Sequence, residues 1–346
     1  MRHNQDRLIH QFASALTHES HPDKVGEELS NVITSHVAHD ALRLVATSPA
    51  TGLGLGSFSF WHQYDPALNT ALALNRYAGG DPSSPVDLAR RTIPIGIVGG
   101  DDAPSDRLVR KVLAAHGASS ELRLLLRNPR GVWGILCLVR GEDRAPFTPE
   151  EAHRASKLGP ALVAALQAHV TAGPLLPQSP ALAPGVIVVG ADHKVRSFTP
   201  QARAWLQQMW APDQNGLPDW IATMFPSTLS REVRAGVNGP IGHSLSCAPA
   251  VTFGRWVAID GQMLDDDVAI VIQAARGELL LPSFCDWHGI TPRERQVIEF
   301  LVKGATIPQL ARILDLSRHT INDHLKSVFR KTGAYGRAEL LAALTA

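Results

Sequence analysis

At 346 residues, with 45% hydrophobic and 19% charged side chains, the chain is long enough for two or three domains and too apolar to be disordered. It has no apolar run of the ~18 residues a membrane span requires, and its polar opening MRHNQDRLIHQFASAL lacks a signal-peptide core, so a cytoplasmic protein is expected. The net charge of +1 is unevenly spread: from Asp286 onward nine Lys/Arg face six Asp/Glu, against 24 and 26 before it, which suits a small anion-binding module behind a slightly acidic body.

In chain order, helical patterns are expected over about 5–17 and 27–46. GLGSFSFWHQY then alternates, placing Phe58, Phe60, His62 and Tyr64 on one strand face. A helix from about Pro66 to Tyr77 and the loop AGGDPSSP follow. ELRLLLRNPRGVWGILCLV is a hairpin turning at Asn128-Pro129-Arg130-Gly131, where Pro presets φ and Gly accepts an unusual one. FTPEEAHRASKLGPALVAALQAHV predicts one long helix, with Thr148 as N-cap, Pro149 at its first position and Glu151 closing a capping box.

TAGPLLPQSPALAP has four prolines in fourteen residues and reads as an extended linker. Beyond it, PGVIVVGADHKVRSFTPQARAWLQQM predicts strand, turn, short strand and a helix capped near Thr199. The stretch 211–246 looks irregular, and VTFGRWVAI and DVAIVIQAA read as strands. GELLLPSFCDWHG, with Pro282 and Gly289, is a second, weaker break. The hairpin followed by FTPEE and a helix resembles the C-terminal half of a GAF domain, over about 27–170; the order from 184 resembles a PAS-like domain. That resemblance implies a sensory or dimerising body.

The richest pattern lies in 290–346. Thr291, Pro292 and Glu294 form a second capping box ahead of Val297, Ile298 and Leu301; Gly304 ends that helix. Thr306 and Gln309 open the next, with Leu310 and Ile313 expected to be buried. Only DLS separates it from a helix capped by Ser317, the spacing of a helix-turn-helix. On a helical wheel Ile321, Leu325, Val328 and Thr332 share a core arc, opposite His319, Asn322, Asp323, Lys326 and Arg330. A fourth helix, GRAELLAALTA, follows.

The stretch TPRERQVIEFLVKGATIPQLARILDLSRHTINDHLKSVFRKTGAYGRAELLAAL resembles the DNA-binding domain of LuxR-type transcriptional regulators. Thr291-Pro292-Arg293-Glu294, Gly304, Ala311, Leu316-Ser317, Thr320, His324, Lys331 and Arg337 sit at family positions; Asn322, where the family often has Lys, and Asp323 depart from it. The resemblance implies that Asn322, Asp323 and Lys326 face base edges. Thr306, Ser317, Arg318, His319, Thr320, Arg330 and Lys331 would contact or flank phosphates, and the helix from Arg337 to Leu344 would pair two subunits. Asp323 has a second reading, a surface acid paired with His319 or Lys326.

The fold class expected is therefore multidomain: an α+β GAF-like unit over 1–170, a linker over 171–183, a PAS-like unit over 184–276, a linker over 277–285 and an all-α four-helix DNA-binding unit over 286–346. Phe58, Phe60, His62 and Trp133 are the candidate ligand pocket, with plain core packing as the simpler reading. His36 and His39 could make a metal pair only with a third ligand, which the sequence does not offer, so no metal and no cofactor are expected. No GxSxG, phosphate loop or HExxH appears, so no catalytic residue is expected. Cys137, Cys247 and Cys285 are scattered and odd in number, which suits reduced thiols. Double-stranded DNA, a second copy of the chain, a small effector and RNA polymerase are the expected partners, and a membrane is not. The alternative for the body is a dimerisation scaffold without a ligand, or a fused enzyme domain.

Overall fold

The computed structural model describes residues 2–16, 22–52, 56–77, 81, 83–100, 107–210, 217–218, 220–236 and 243–346. Helices α1 (Arg2–Ala15) and α2 (Pro22–Thr34) lead into strands β1 (Ala41–Ala46) and β2 (Phe58–His62). Then come α3 (Pro66–Tyr77), α4 (Pro85–Arg90), β3 (Ile95–Val98), α5 (Arg107–Ala115), the hairpin β4 (Ala118–Asn128) and β5 (Gly131–Gly141), α6 (Pro149–Ser156) and α7 (Gly159–Thr171). The strands form one antiparallel sheet in the order β2-β1-β5-β4-β3.

Both faces of this sheet are covered, which is why ELRLLL and GILCLV read as continuous apolar runs. Leu122, Leu124, Leu126, Trp133, Leu136 and Leu138 face α1, α2 and α7. Leu125, Ile135, Cys137 and Val139 face the other way, with Leu68, Leu88 and Leu113.

Several expectations are corrected here. The helix expected over 27–46 ends at Thr34, and ALRLVA is strand β1. His39 turns the chain: its Nδ1–H donates to the Val37 carbonyl at 2.8 Å and its Nε2 accepts from the Ser30 hydroxyl at 2.9 Å. His36 and His39 thus share no helix face. Tyr64 leaves the face of Phe58 and Phe60, because Gln63 adopts a left-handed φ of 52° that sends Tyr64 to the opposite core. The long helix after FTPEE is two helices, α6 and α7, divided at Lys157-Leu158, where Pro160 has no N–H to continue the ladder. The loop AGGDPSSP falls partly outside the described residues, at 78–80 and 82.

A second antiparallel sheet follows. It comprises β6 (Gly185–Val189), β7 (Val195–Phe198), α8 (Pro200–Trp210), a π-helical turn (Trp220–Met224), α9 (Phe225–Ala235), β8 (His243–Ala248), α10 (Ala250–Phe253), β9 (Val257–Leu264) and β10 (Asp267–Ala274), in the order β7-β6-β10-β9-β8. The stretch expected to be irregular holds α9 and β8. Its residues 211–216, 219 and 237–242 lie outside those described. VTFGRWVAI opens as the short helix α10, which ends at Gly254 with φ 69°; the strand begins only at Val257. Trp205, Leu206, Leu229 and Val233 from α8 and α9 pack on Ile187, Ile259 and Ile270 of this sheet.

The expected linker 277–285 is instead a buried helix, α11 (Gly277–Trp287), with Pro282 inside it. Leu280, Leu281, Phe284, Cys285 and Trp287 recur at helical spacing and are all buried. α11 is bolted to the first sheet. Ser283 and Ser48 hydroxyls lie 3.1 Å apart, the Ala50 N–H donates to Asp286 at 2.8 Å, and the Trp287 ring stands 5.1 Å from Trp133 and 6.0 Å from Phe58, centre to centre. Four helices complete the chain: α12 (Pro292–Val302), α13 (Ile307–Ile313), α14 (Arg318–Thr332) and α15 (Arg337–Thr345). Their core, from Val297 to Leu344, is continuous with that of the first sheet through α11.

Trp287→Ala removes a fully buried ring from this joint and is expected to cost about 3–5 kcal/mol. Chemical denaturation followed by far-UV circular dichroism measures it; an unchanged midpoint would show that Trp287 does not hold the two parts together.

Candidate nucleic-acid interface

Ser317 starts α14: its hydroxyl accepts from the Thr320 N–H at 3.0 Å, and Gly333, φ 75°, ends the fifteen-residue helix. Asp315, with φ 51°, makes the tight turn from α13. Ile321, Leu325, Val328 and Thr332 are buried, as the wheel predicts. Asn322, Asp323, Lys326 and Arg330 are exposed on the outer face, together with Arg318 and His319 at the first turn. Thr320 is half-buried and shares its hydroxyl with Ser317 at 2.9 Å. Thr306 is exposed at the head of α13, its N–H and hydroxyl both donating to Gln309 at 2.8 Å. Thr306 and Ser317 thus cap two helix N-termini, and α14 turns an outward row of amide, acid and cation to solvent. Ile313, expected in the core, is 53% exposed.

Asp323 lies between His319 and Lys326. Its carboxylate is 3.4 Å from His319 Nε2 and 3.8 Å from Lys326 Nζ. With His319 85%, Asp323 54% and Lys326 75% exposed, water screens these pairs. Such contacts contribute about 0–1 kcal/mol, so they can open when another partner arrives.

Lys331 departs from its expected place among the phosphate contacts. Its ammonium donates to Glu294 at 2.6 Å, and the two side chains are 24% and 6% exposed. Lys331 is therefore a strut between α14 and α12, its charge already matched. Glu294 also accepts from the Thr291 N–H at 2.7 Å, so one carboxylate caps α12 and grips α14. Burial opposes the charge on Glu294, but hydrogen bonds from Lys331, Thr291 and Ser327 outweigh it and hold the carboxyl down at about 2.

Sequence reasoning missed three further struts, none of which has a local signature. Arg293 donates to the Leu314 carbonyl at 2.6 Å, fixing the turn before α14. Arg337 donates to Ala305 at 3.2 Å and ties α15 to the α12–α13 corner. His288 donates from Nδ1 to the Lys331 carbonyl at 3.3 Å; burial lowers it to about 4, so the ring is neutral and binds α14 to the end of α11. On α15, Leu340 and Leu344 turn inward, leaving Ala338 and Ala342 on the outer side.

The expected ligand pocket is packed. Phe58, Phe60 and Trp133 join one core, closed by Trp287 and by His169, which stands 5.7 Å from Phe58 and 5.6 Å from Phe60. His62 is half-buried at the end of β2, outside that cluster. A polar network lies on the opposite face, where Arg123 bonds Glu121 and Asp81, each at 2.6 Å, and Tyr64 donates to Glu121 at 2.6 Å. All four side chains are buried. The three cysteines are buried free thiols, each pushed up to about 12 by that burial.

Four short helices, with one presented outward on a capped turn, define a helix-turn-helix DNA-binding unit. The family described as bacterial regulatory proteins, luxR family, matches residues 288–344. The spore germination protein GerE of Bacillus subtilis is 34% identical over 55 residues, covering 16% of this chain and 74% of GerE. The transcriptional regulatory protein UhpA of Salmonella typhimurium is 28% identical over 141 residues, covering 37% of this chain and 67% of UhpA. The chain belongs to the luxR family of bacterial regulatory proteins, and it is a transcriptional regulator with a LuxR-type DNA-binding domain. Among solved structures, Escherichia coli SdiA overlaps 92% of this chain and 89% of its own at 13% identity, with a TM-score of 0.32, too low to compare the bodies.

The pH dependence follows from Glu294. Its folded carboxyl titrates below the ordinary 4.5, so its stabilisation is complete above that value and is lost as pH falls toward 2. Acid titration watched by circular dichroism should show a loss on the order of 3 kcal/mol across this window. Glu294→Gln should be less stable at neutral pH and flatter between pH 5 and 2. An identical acid slope in the variant would assign the loss to other carboxylates.

Proposed function

We propose that this regulator binds a near-palindromic double-stranded DNA site as a homodimer, reading bases through Asn322, Asp323 and Lys326 of α14. The observation that carries this reading is the outer face of α14: these three side chains are exposed together, opposite a buried face that fixes their direction. Lys donates to guanine O6 and N7, Asn suits adenine, and Asp accepts from cytosine N4. Thr306, Ser317, Arg318, His319, Thr320 and Arg330 supply phosphate contacts around them, and Lys331 supports the helix from within. Pairing through the outer side of α15 would set two recognition helices about 34 Å apart. At a promoter, RNA polymerase is the further partner this reading implies, and the cytoplasm is the compartment.

The body is read as a GAF-like unit followed by a PAS-like unit that senses a small effector. Support comes from the repeated sheet order: in each unit the second, first, fifth, fourth and third strands lie side by side. Its route to DNA is α11, whose Trp287 sits against Phe58 and Trp133. The closed packing of Phe58, Phe60 and Trp133 favours the second reading, a body that serves as a dimer scaffold without a ligand. Native mass spectrometry of the purified protein separates the two: a retained small molecule supports sensing, and a bare chain supports the scaffold.

Lys326→Ala is expected to weaken specific DNA binding by about 1–3 kcal/mol and to relax the base preference. Equal loss on all sequences, with a shallower salt dependence, would reduce Lys326 to a phosphate contact. A carboxylate on the reading face repels phosphates everywhere but can be matched only at its own base. Asp323→Asn should therefore raise affinity for random DNA more than for the operator. Fluorescence anisotropy on both DNAs measures the ratio, and an unchanged ratio leaves Asp323 as a surface pair alone.

A further inference from the structure

Arg255 lies just before β9, where the second sheet meets the last helix of the DNA-binding unit. It lines a small cleft, partly open to solvent, with Leu175, Pro177, Trp256, Ala343 and Ala346. The residue is only 4% exposed. Its Nε and Nη1 make no hydrogen bond among the described residues, and Nη2 reaches the Ala346 carbonyl at 3.5 Å, the limit of a hydrogen bond. Burial, and then the neighbouring Arg276, press against its charge, and no acidic side chain among the described residues offsets them.

This contrasts with the other buried arginines. Arg123 lies between Glu121 and Asp81, and Arg140 is held by Glu151 at 2.6 Å. A guanidinium taken from water without a counter-charge is strongly destabilising. Its planar N–H fork matches an oxyanion through two parallel hydrogen bonds, and Arg276, exposed at the head of α11, adds a second positive charge.

We propose that Arg255, assisted by Arg276, is an oxyanion-binding site that takes a carboxylate or phosphate group in the cleft between the second sheet and α15. An anion held there touches both the body and Ala343 or Ala346, so it fastens the DNA-binding unit to the body. Two sources share this chemistry: a small carboxylate or phosphate from solution, and a free carboxylate at Ala346.

The test uses the full chain, with sodium phosphate and sodium acetate titrated against chloride at constant ionic strength, followed by thermal unfolding and calorimetry. The expected result is a saturable rise in Tm that Arg255→Met abolishes. Arg276→Gln, at an exposed position, should weaken the apparent affinity by up to about fivefold, as one screened charge contributes. If the unmodified chain does not respond, the same titration is made on a chain extended by Gly-Ser-Gly after Ala346. A response there, lost again with Arg255→Met, assigns the site to the chain's own carboxylate. No response in either chain overturns the site, as does an equal response in Arg255→Met. Should that variant fail to fold, an unchanged affinity in Arg276→Gln overturns it.

Discussion

The insertion of Trp287 between Trp133 and Phe58 is the contact on which the arrangement of this protein depends. A tethered DNA-binding domain needs a solvated linker, and α11 has none of its properties. Its apolar side is buried, its Asp286 accepts from the Ala50 backbone, and Arg130 from the hairpin turn reaches both Cys285 and Ile290 carbonyls. The core of the first sheet therefore runs without interruption into the four C-terminal helices. Contacts that are each weak become hard to break when one helix carries all of them, because they must be lost together.

Within the DNA-binding unit the charges divide by direction. The inward set is satisfied: Lys331 by Glu294, His288 neutral against the Lys331 carbonyl, Arg293 and Arg337 on main-chain oxygens. The outward set, His319, Asp323, Lys326 and Arg330, is exposed, and the pairs within it are screened. That division separates two tasks that would otherwise conflict. Buried pairs fix the orientation of α14 at the cost of desolvation. Screened pairs leave the outer face of α14 uncommitted, so another partner can displace a neighbour for little energy.

The C-terminal unit was legible because its information is local. Capping boxes at Thr291 and Thr306, the cap at Ser317, the glycine at 333 and a clear apolar arc on α14 all lie within a few residues of what they specify. The body was harder for a physical reason. Strands buried on both faces lose their alternation, so ALRLVA joined a neighbouring helix by pattern. Pro282 read as a breaker because the buried face of α11 faces another unit, and nothing nearby in sequence announces that unit. The Arg123 network draws Asp81 and Tyr64 from far along the chain, and no spacing rule reaches that distance. Candidate site residues on α14 were found through periodicity; the struts that aim them were not, since Arg293 and Arg337 act on main-chain carbonyls that any sequence could supply.

This joint also bears on how the proposed dimer would meet DNA. Two recognition helices must match a fixed spacing of one helical turn. On flexible linkers, pairing through α15 alone would set that spacing. Here α15 turns Leu340 and Leu344 inward and lies against α11 and α12, and α11 is locked to the first sheet. Under that proposal the dimer would inherit its half-site geometry from the body as much as from α15. The base of α12 and α14 shares one packed core with the aromatic seam, and a close-packed interior transmits strain.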